Sequence, residues 1–353
     1  MGPSQPSVHS LAETVALVRE PFAIEDLGSA AVPVIVTRLE ANDAATDEDR
    51  ADLGSILTSV RAVSVAVIDH VIDAQLALVA DAFDIVVGPP DSGGTGIVDI
   101  GSVQAAVASI TEAVGLHPQS AVAMAELLRL EAFDSVPQAL VLESLTFSTL
   151  QAGPDFGAWL VARGPALVSA DTEPPLLINR RETSLHITLN RPARANAFNA
   201  AMRDALVEAL RAADTDPTIE GVVIDGAGDS FCSGGDLAEF GITPDPATAH
   251  HVRLLRSPAW WLNQLARDVR VHVHGHCVGA GIELPAFAGT VIAAPDTIVQ
   301  LPEVAMGLVP GSGGTVSIPR RIGRQRTAYL AITGQPIDAQ QALAWGLVDR
   351  IER

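Results

Sequence analysis

Residues 275–315 constrain this chain more than any other stretch. They begin Gly275-His276-Cys277-Val278-Gly279-Ala280-Gly281-Ile282-Glu283-Leu284, pass through an apolar strand, and continue as Leu301-Pro302-Glu303 and Pro310-Gly311-Ser312-Gly313-Gly314-Thr315. The pattern predicts a small-residue loop opening into a helix that carries Glu283, with Glu303 on a short extended piece. Glycines let backbone N–H groups crowd a ligand, and a helix start offers unpaired donors to negative charge. That is an oxyanion hole in outline, beside two carboxylates. The glycines at 311–314 read as a turn before a helix, because no Lys-Ser or Lys-Thr follows them to make a phosphate loop.

The same strand-loop-helix-strand pattern occurs earlier in the chain. Laid without gaps on residues 269–295, residues 63–89 match Val63 to Val269, Val65 to Val271, Val67 to Val273, His70 to His276, Ala74 to Ala280, Leu78 to Leu284 and Pro89 to Pro295. Three mismatches carry meaning: Asp73 stands at the place of Gly279, Gln75 at that of Gly281, and Ala77 at that of Glu283. The early copy reads as the same unit without its chemistry. Alternating valines also recur by coincidence in α/β chains, so the repeat competes with chance on pattern grounds.

Around these two units the chain reads as α/β. A helix is expected at 10–19, a buried strand at 31–36, an acidic lead at 40–52 into a helix, a strand at 63–67, a helix near 73–82 and a strand at 84–87. A Gly/Pro loop follows at 88–96. Residues 102–163 turn helical, with stripes through Val103, Val107, Ile110 and Val114, through Met124 and Leu128, and over 140–147. The adjacent prolines in 169–175 mark a linker. Beyond it, strands are expected at 184–189 and 221–224, with Phe198, Met202, Leu206 and Leu210 on one face of an intervening helix.

Composition narrows the partners. The 353 residues carry a formal net charge of -20 and no lysine, so arginine must supply any contact to a phosphate. Such a balance argues against nucleic acid or an anionic membrane as partner. Residues 1–8 read as a loose terminus without the basic start and apolar core of a signal peptide, and no transmembrane run occurs. Two cysteines, Cys232 and Cys277, make no disulfide framework and fit a reducing cytoplasm. They read as packing residues. His272, His274 and His276 alternate along a strand and its end, and His250 and His251 are adjacent, but no recognised metal signature is completed, and no metal is expected.

Together with Phe231-Cys232-Ser233-Gly234-Gly235-Asp236-Leu237, the 275–315 motifs resemble the crotonase superfamily, the enoyl-CoA hydratase/isomerase family. The matching residues cover about 177–353. The resemblance implies an α/β fold with a crotonase-like ββα spiral core over 177–353. It is preceded by a degenerate crotonase-like α/β unit at 1–97 and a helical segment at 98–168 that resembles a crotonase C-terminal tail. It also implies oxyanion donors at Gly235 and Ala280, with Glu283 activating water and Glu303 delivering a proton to the α-carbon. Ala280 departs from the commoner glycine.

By the same resemblance the substrate is an acyl-CoA thioester, coenzyme A enters only as part of that substrate, and no other cofactor is needed. Coenzyme A falls to Ala193, Arg194 and Ala195, with Asp236 and Leu237 near the adenine; read by themselves, Arg191 and Arg194 are equally well exposed surface charges. A homo-oligomer, trimer or hexamer, is implied. Hydration, or the reverse dehydration, is the leading expectation. Double-bond isomerisation, which needs one carboxylate, or other enolate chemistry on a specialised CoA thioester, and a non-catalytic acyl-CoA-binding or scaffold role are the alternatives. Trp260 and Trp261 fit either the acyl pocket or the core.

Overall fold

A computed structural model describes residues 7–352 apart from 42, 91, 93–95, 167–171 and 244. Parts of the expected loose terminus (1–6), acidic lead (42), Gly/Pro loop (91, 93–95) and linker (169–171) lie outside the described residues. The chain divides into two compact units, one of residues 1–131 with 323–334, the other of 132–322 with 335–353. The boundary at 131 lies within the 98–168 helical segment.

The first unit holds a parallel four-stranded sheet, ordered Val8–His9, Val34–Arg38, Val63–Val67, Ile85–Val87. The strand expected at 31–36 begins only at Val34, after Pro33, whose missing N–H suits a strand edge better than a ladder interior. Val63–Val67 is buried at every position, as befits a parallel strand covered on both faces. Helices Val103–Leu116, Pro118–Arg129 and Arg324–Thr333 belong to this unit. Arg129 ties it together: its guanidinium bonds Asp84 at 2.7 and 2.6 Å and the carbonyl of Val60 at 2.6 Å, both ionic side chains being buried.

The second unit has two sheets. The six-stranded one runs Arg350–Ile351, Thr290–Ala293, Val269–Val273, Gly221–Gly226, Ser184–Leu189, Leu176–Arg181. All its pairs are parallel except the closing hairpin of the last two strands. Leu176–Arg181 went unforeseen, because as an edge strand it is exposed at five of six positions and shows no apolar alternation. The smaller sheet joins Ile337–Asp338, Ile298–Gln300 and His276–Val278. The chain therefore spirals: Val269–Val273 enters the large sheet, His276–Val278 the small one, and the helix Ala280–Glu283 follows; Thr290–Ala293 and Ile298–Gln300 repeat the course. This is the ββα arrangement expected of the core.

The match between residues 63–89 and 269–295 extends to strand register. Val65 pairs with Ile85 and Val67 with Val87 in the first unit; Val271 pairs with Val291 and Val273 with Ala293 in the second. The strands Val63–Val67 and Val269–Val273, and the helices starting at Ala74 and Ala280, sit at the places the gapless superposition gives them. Helices Val136–Gln151 and Pro154–Arg163 pack on the second unit's own core: Val136–Gln151 lies against Pro246–Leu255, and Phe156 and Trp159 meet Phe240. Among the described residues no helix is long and apolar enough to cross a membrane.

Candidate active site

The small sheet explains why two glutamates separated in sequence meet. His276–Val278 and Ile298–Gln300 run parallel with Val278 opposite Gln300, so the segments leaving their ends start side by side. Glu283 closes the short helix after the first strand, and Glu303 opens a turn of 3-10 helix, Glu303–Met306, after the second. The turn replaces the extended piece expected there: Leu308 N–H bonds back to the Glu303 carbonyl, and Gly307 reverses the chain with φ 75°. Gly279 sits between the carboxyl groups. With φ 49° it occupies a region that L side chains avoid, and a Cβ on it would lie 2.3 Å from Glu303 Oε1 and 3.6 Å from Glu283 Oε1. Both side chains therefore face one point.

Two backbone amides border the same space. The backbone of Cys232 pairs in parallel with that of Cys277, and Phe198 with Gly235, which extends the small-sheet edge to the 231–236 loop. Val278 N–H donates to Cys232 O at 2.9 Å, and Cys232 N–H to His276 O at 3.1 Å. The N–H groups of Gly235 and Ala280 donate to no described residue. Gly235, Ala280, Glu283 and Glu303 all line one cleft of about 520 Å³, whose walls include Phe147, Phe198, Phe240 and Leu284. The structure thus brings together the four residues the sequence proposed for chemistry.

Burial sets their electrostatics. Glu303 has an oxygen, Oε2, that is buried with no hydrogen-bond partner, and burial pushes its carboxyl up to about 8. Glu283 is raised well above the ordinary carboxylate value by burial first, then by the charges of Glu303 and Glu143. Two donors oppose this, the amides of Ser312 and Gly314, which bond Glu283 Oε2 at 2.7 and 2.9 Å. The two amide donors favour charge on Glu283 Oε2, and the unmet inner oxygen of Glu303 favours a proton there.

A third carboxylate, Glu143, lines the cleft and escaped the sequence reading. It arrives on the helix Val136–Gln151, is 1 % exposed, and accepts from Gly313 N–H at 2.7 Å, Thr315 N–H at 2.9 Å and Thr315 Oγ1 at 2.7 Å. Burial pushes it up to about 7. The available signal was an acid on an apolar stripe, since 140, 143 and 147 share a helix face. Arg253 lies at 4.2 Å over the Phe147 ring and donates to the Ser144 carbonyl and hydroxyl and to Ser148 Oγ.

The residues proposed for coenzyme A do not line the cleft. Ala193 and Arg194 are exposed on the 3-10 turn Pro192–Arg194, and Ala195 follows in a left-handed conformation with φ 47°. The turn is held beside the 231–236 loop, where Ser233 N–H donates to Ala195 O at 2.9 Å. Asp236 is turned inward, bonded at 2.9 Å by Arg191, while Leu237 is 49 % exposed. Arg191 is therefore a buried structural cation, not a surface charge. Asn196 locks the same loop by accepting from Arg191 N–H at 2.7 Å and donating to the carbonyls of Ala227 and Ser230. Cys232 and Cys277 are buried, and burial raises both thiols, Cys232 to about 12, which leaves them un-ionised at neutral pH. Trp260 and Trp261 are half-buried outside the cleft lining.

Amides poised for a carbonyl oxygen beside proton-carrying carboxyls define a site that can stabilise an enolate and move protons on its neighbouring carbons. A family profile described as enoyl-CoA hydratase/isomerase matches residues 179–352. The chain is 36% identical over 178 residues to the 2,3-dehydroadipyl-CoA hydratase of Escherichia coli, covering 50% of this chain and 68% of that protein. It is also 36% identical over 166 residues to the 1,2-epoxyphenylacetyl-CoA isomerase of Escherichia coli, covering 46% of this chain and 63% of that protein. Among solved structures, an enoyl-CoA hydratase of Mycobacterium smegmatis is 31% identical over 51% of this chain and 70% of that one, with a TM-score of 0.48. The chain belongs to the enoyl-CoA hydratase/isomerase family, the crotonase superfamily. It spans roughly two thirds of those relatives' lengths.

Proposed function

We propose that the protein hydrates the α,β-double bond of an enoyl-CoA thioester, or dehydrates the product in reverse. The observation that carries this reading is that Glu283 and Glu303 face one point, in one cleft with the amides of Gly235 and Ala280, which donate to no described residue. The thioester oxygen accepts from those two N–H groups, each worth about 3 kcal/mol of barrier by analogy with other oxyanion holes. Glu283, charged against the Ser312 and Gly314 amides, takes a proton from water as its oxygen bonds to Cβ. The π electrons move toward the carbonyl, and Glu303, the protonated partner, delivers a proton to Cα. Glu283 ends protonated and Glu303 ionised, so one proton exchange with solvent resets the pair.

The surrounding expectations form part of the same reading. Coenzyme A is bound along the 193–195 turn as part of the substrate, and no further cofactor takes part. The chain works in the cytoplasm as a homo-oligomer built on trimers, which a solution mass of a monomer would overturn. The first unit is a second crotonase-like copy without chemistry, a reading supported by its matching strand register. Helices Val136–Gln151 and Pro154–Arg163 do for the second unit what a C-terminal tail does in a crotonase.

The test is crotonyl-CoA hydration, followed as loss of the conjugated thioester absorbance. Glu283→Gln and Glu303→Gln are each expected to lower kcat by about 10³-fold, the scale of a general acid or base. Dependence on only one of them, with a shifted double bond as product, would replace hydration by isomerisation. Thioester binding without turnover, unaffected by either change, would leave a binding subunit.

A further inference from the structure

The amides of residues 312–315 are shared alternately between two buried carboxylates. Ser312 and Gly314 donate to Glu283; Gly313 and Thr315 donate to Glu143. Successive N–H groups of a helix point the same way, so their alternation here requires the backbone to leave helical geometry, and Gly313 does so with φ 102°. The four amides stand at the start of the four-residue helix Gly314–Ser317, whose first N–H groups have no partners within the helix. Each carboxylate therefore completes what the other leaves open.

Neither contact is loose. Glu143 Oε2 also takes the Thr315 hydroxyl at 2.7 Å, and Ser317 Oγ donates to the Glu283 carbonyl at 2.7 Å. Phe147, one turn beyond Glu143, closes over Gly311, where an added Cβ would lie 2.5 Å from the ring. The charges around Glu143 are Glu283 and Glu303, which oppose its ionisation or are opposed by it, and Arg253, which favours it. Retaining a third acid in a cluster already crowded with carboxyl groups is electrostatically unfavourable unless its hydrogen bonds are needed.

We propose that Glu143 is a positioning residue for Glu283. By holding the Gly313 and Thr315 amides, it keeps residues 311–315 in the conformation that turns the Ser312 and Gly314 amides onto Glu283 Oε2, fixing where that carboxylate points. Both Glu143 oxygens are already taken by the Gly313 and Thr315 donors, so its effect on the reaction passes through the loop.

The test compares Glu143→Gln, which cannot accept at both oxygens, with Glu143→Asp and with Thr315→Val, which removes only the hydroxyl donor. The kinetic arm rests on the hydratase reading, and the exchange arm does not. In Glu143→Gln the crotonyl-CoA kcat is expected to fall by 10- to 100-fold, while the Kd for butyryl-CoA, a saturated thioester, changes less than threefold. Hydrogen exchange in the 308–318 peptide is expected to quicken at least tenfold there, with the strands Val269–Val273 and Thr290–Ala293 unchanged. Glu143→Asp restores part of kcat, and Thr315→Val lowers it two- to fivefold in the same sense.

Exchange in 308–318 that matches wild type in Glu143→Gln and Thr315→Val overturns the proposal. So does a thioester affinity that falls in step with kcat, which marks a structural role for Glu143 in the cleft wall. A wild-type protein that fails to hydrate crotonyl-CoA removes the hydratase reading alone, and the exchange results then decide the positioning role. Should Glu143→Gln not fold, Thr315→Val carries the same comparison with Glu143 intact.

Discussion

Two strand-loop-helix-strand stretches in this molecule share a backbone frame and differ at three positions, one at the helix start and two within the helix. In residues 63–89, Asp73 has φ −78° and caps its own helix, its carboxylate accepting from Leu76 N–H at 2.8 Å. In residues 269–295, Gly279 takes its place with φ 49°, the helix has no side-chain cap, and the Ala280 N–H is left without a described partner. Ala77 in the first copy becomes Glu283 in the second, buried at 2 % exposure. A capped loop satisfies itself, whereas an uncapped one keeps donors for a ligand. The same frame thus supports a structural unit or a site, depending on whether the helix start is closed from within.

The comparison breaks most forcefully at Gly279. Gly279→Asp makes the second copy imitate the first, but at positive φ it adds strain of about 1–3 kcal/mol and drives a Cβ against Glu303. Crotonyl-CoA hydration is expected to fall at least 100-fold with a lowered Tm, and a variant retaining near-wild-type kcat would show that the glycine is not what lets the carboxyls meet.

The second unit, which holds the cleft, should also carry the protein's pH response. Glu143 and Glu303 stand at about 7 and about 8, and Glu283 is raised as well, so between the ordinary carboxylate range and pH 8 the folded state holds more protons than the unfolded one. Stability must therefore fall as pH rises through that window, with a slope approaching ~1.4 kcal/mol per pH unit for each extra proton held. Urea unfolding midpoints from pH 5 to 9 measure it. Glu303→Gln should flatten the decline, and Asp73→Ala should leave its shape alone.

The smallest effect belongs to the first copy. Asp73→Ala removes one helix cap and should cost about 1 kcal/mol, read as a shift in the urea midpoint, with kcat unchanged. A change in kcat would mean that the first unit contributes to turnover.

Much of this was legible in the chain. The valine alternation located both repeated strands, and the glycine-rich loops with Glu283 and Glu303 pointed to the residues that the cleft assembles, because these features are local in spacing. Other features were not legible for specific reasons. Leu176–Arg181 is an edge strand whose exposure erases periodicity. Glu303 was expected on an extended piece, since a single 3-10 turn leaves no pattern distinct from a loop. Arg191 looked like a surface charge until Asp236, 45 residues away, was placed against it. Glu143 looked like a helix residue among others.

The sequence by itself pointed to the α/β frame, to the matching pattern of 63–89 and 269–295 and to the two glutamates that face one point, because strand spacing, glycine placement and apolar periodicity act over short stretches. Only the tertiary structure decided that Glu143, 170 residues upstream of Gly313, is delivered to the 312–315 loop. Only it decided, too, that burial raises three carboxyl groups together. Desolvation and hydrogen bonding between distant segments depend on which surfaces exclude water from one another, and that is a property of the packed chain rather than of any stretch within it.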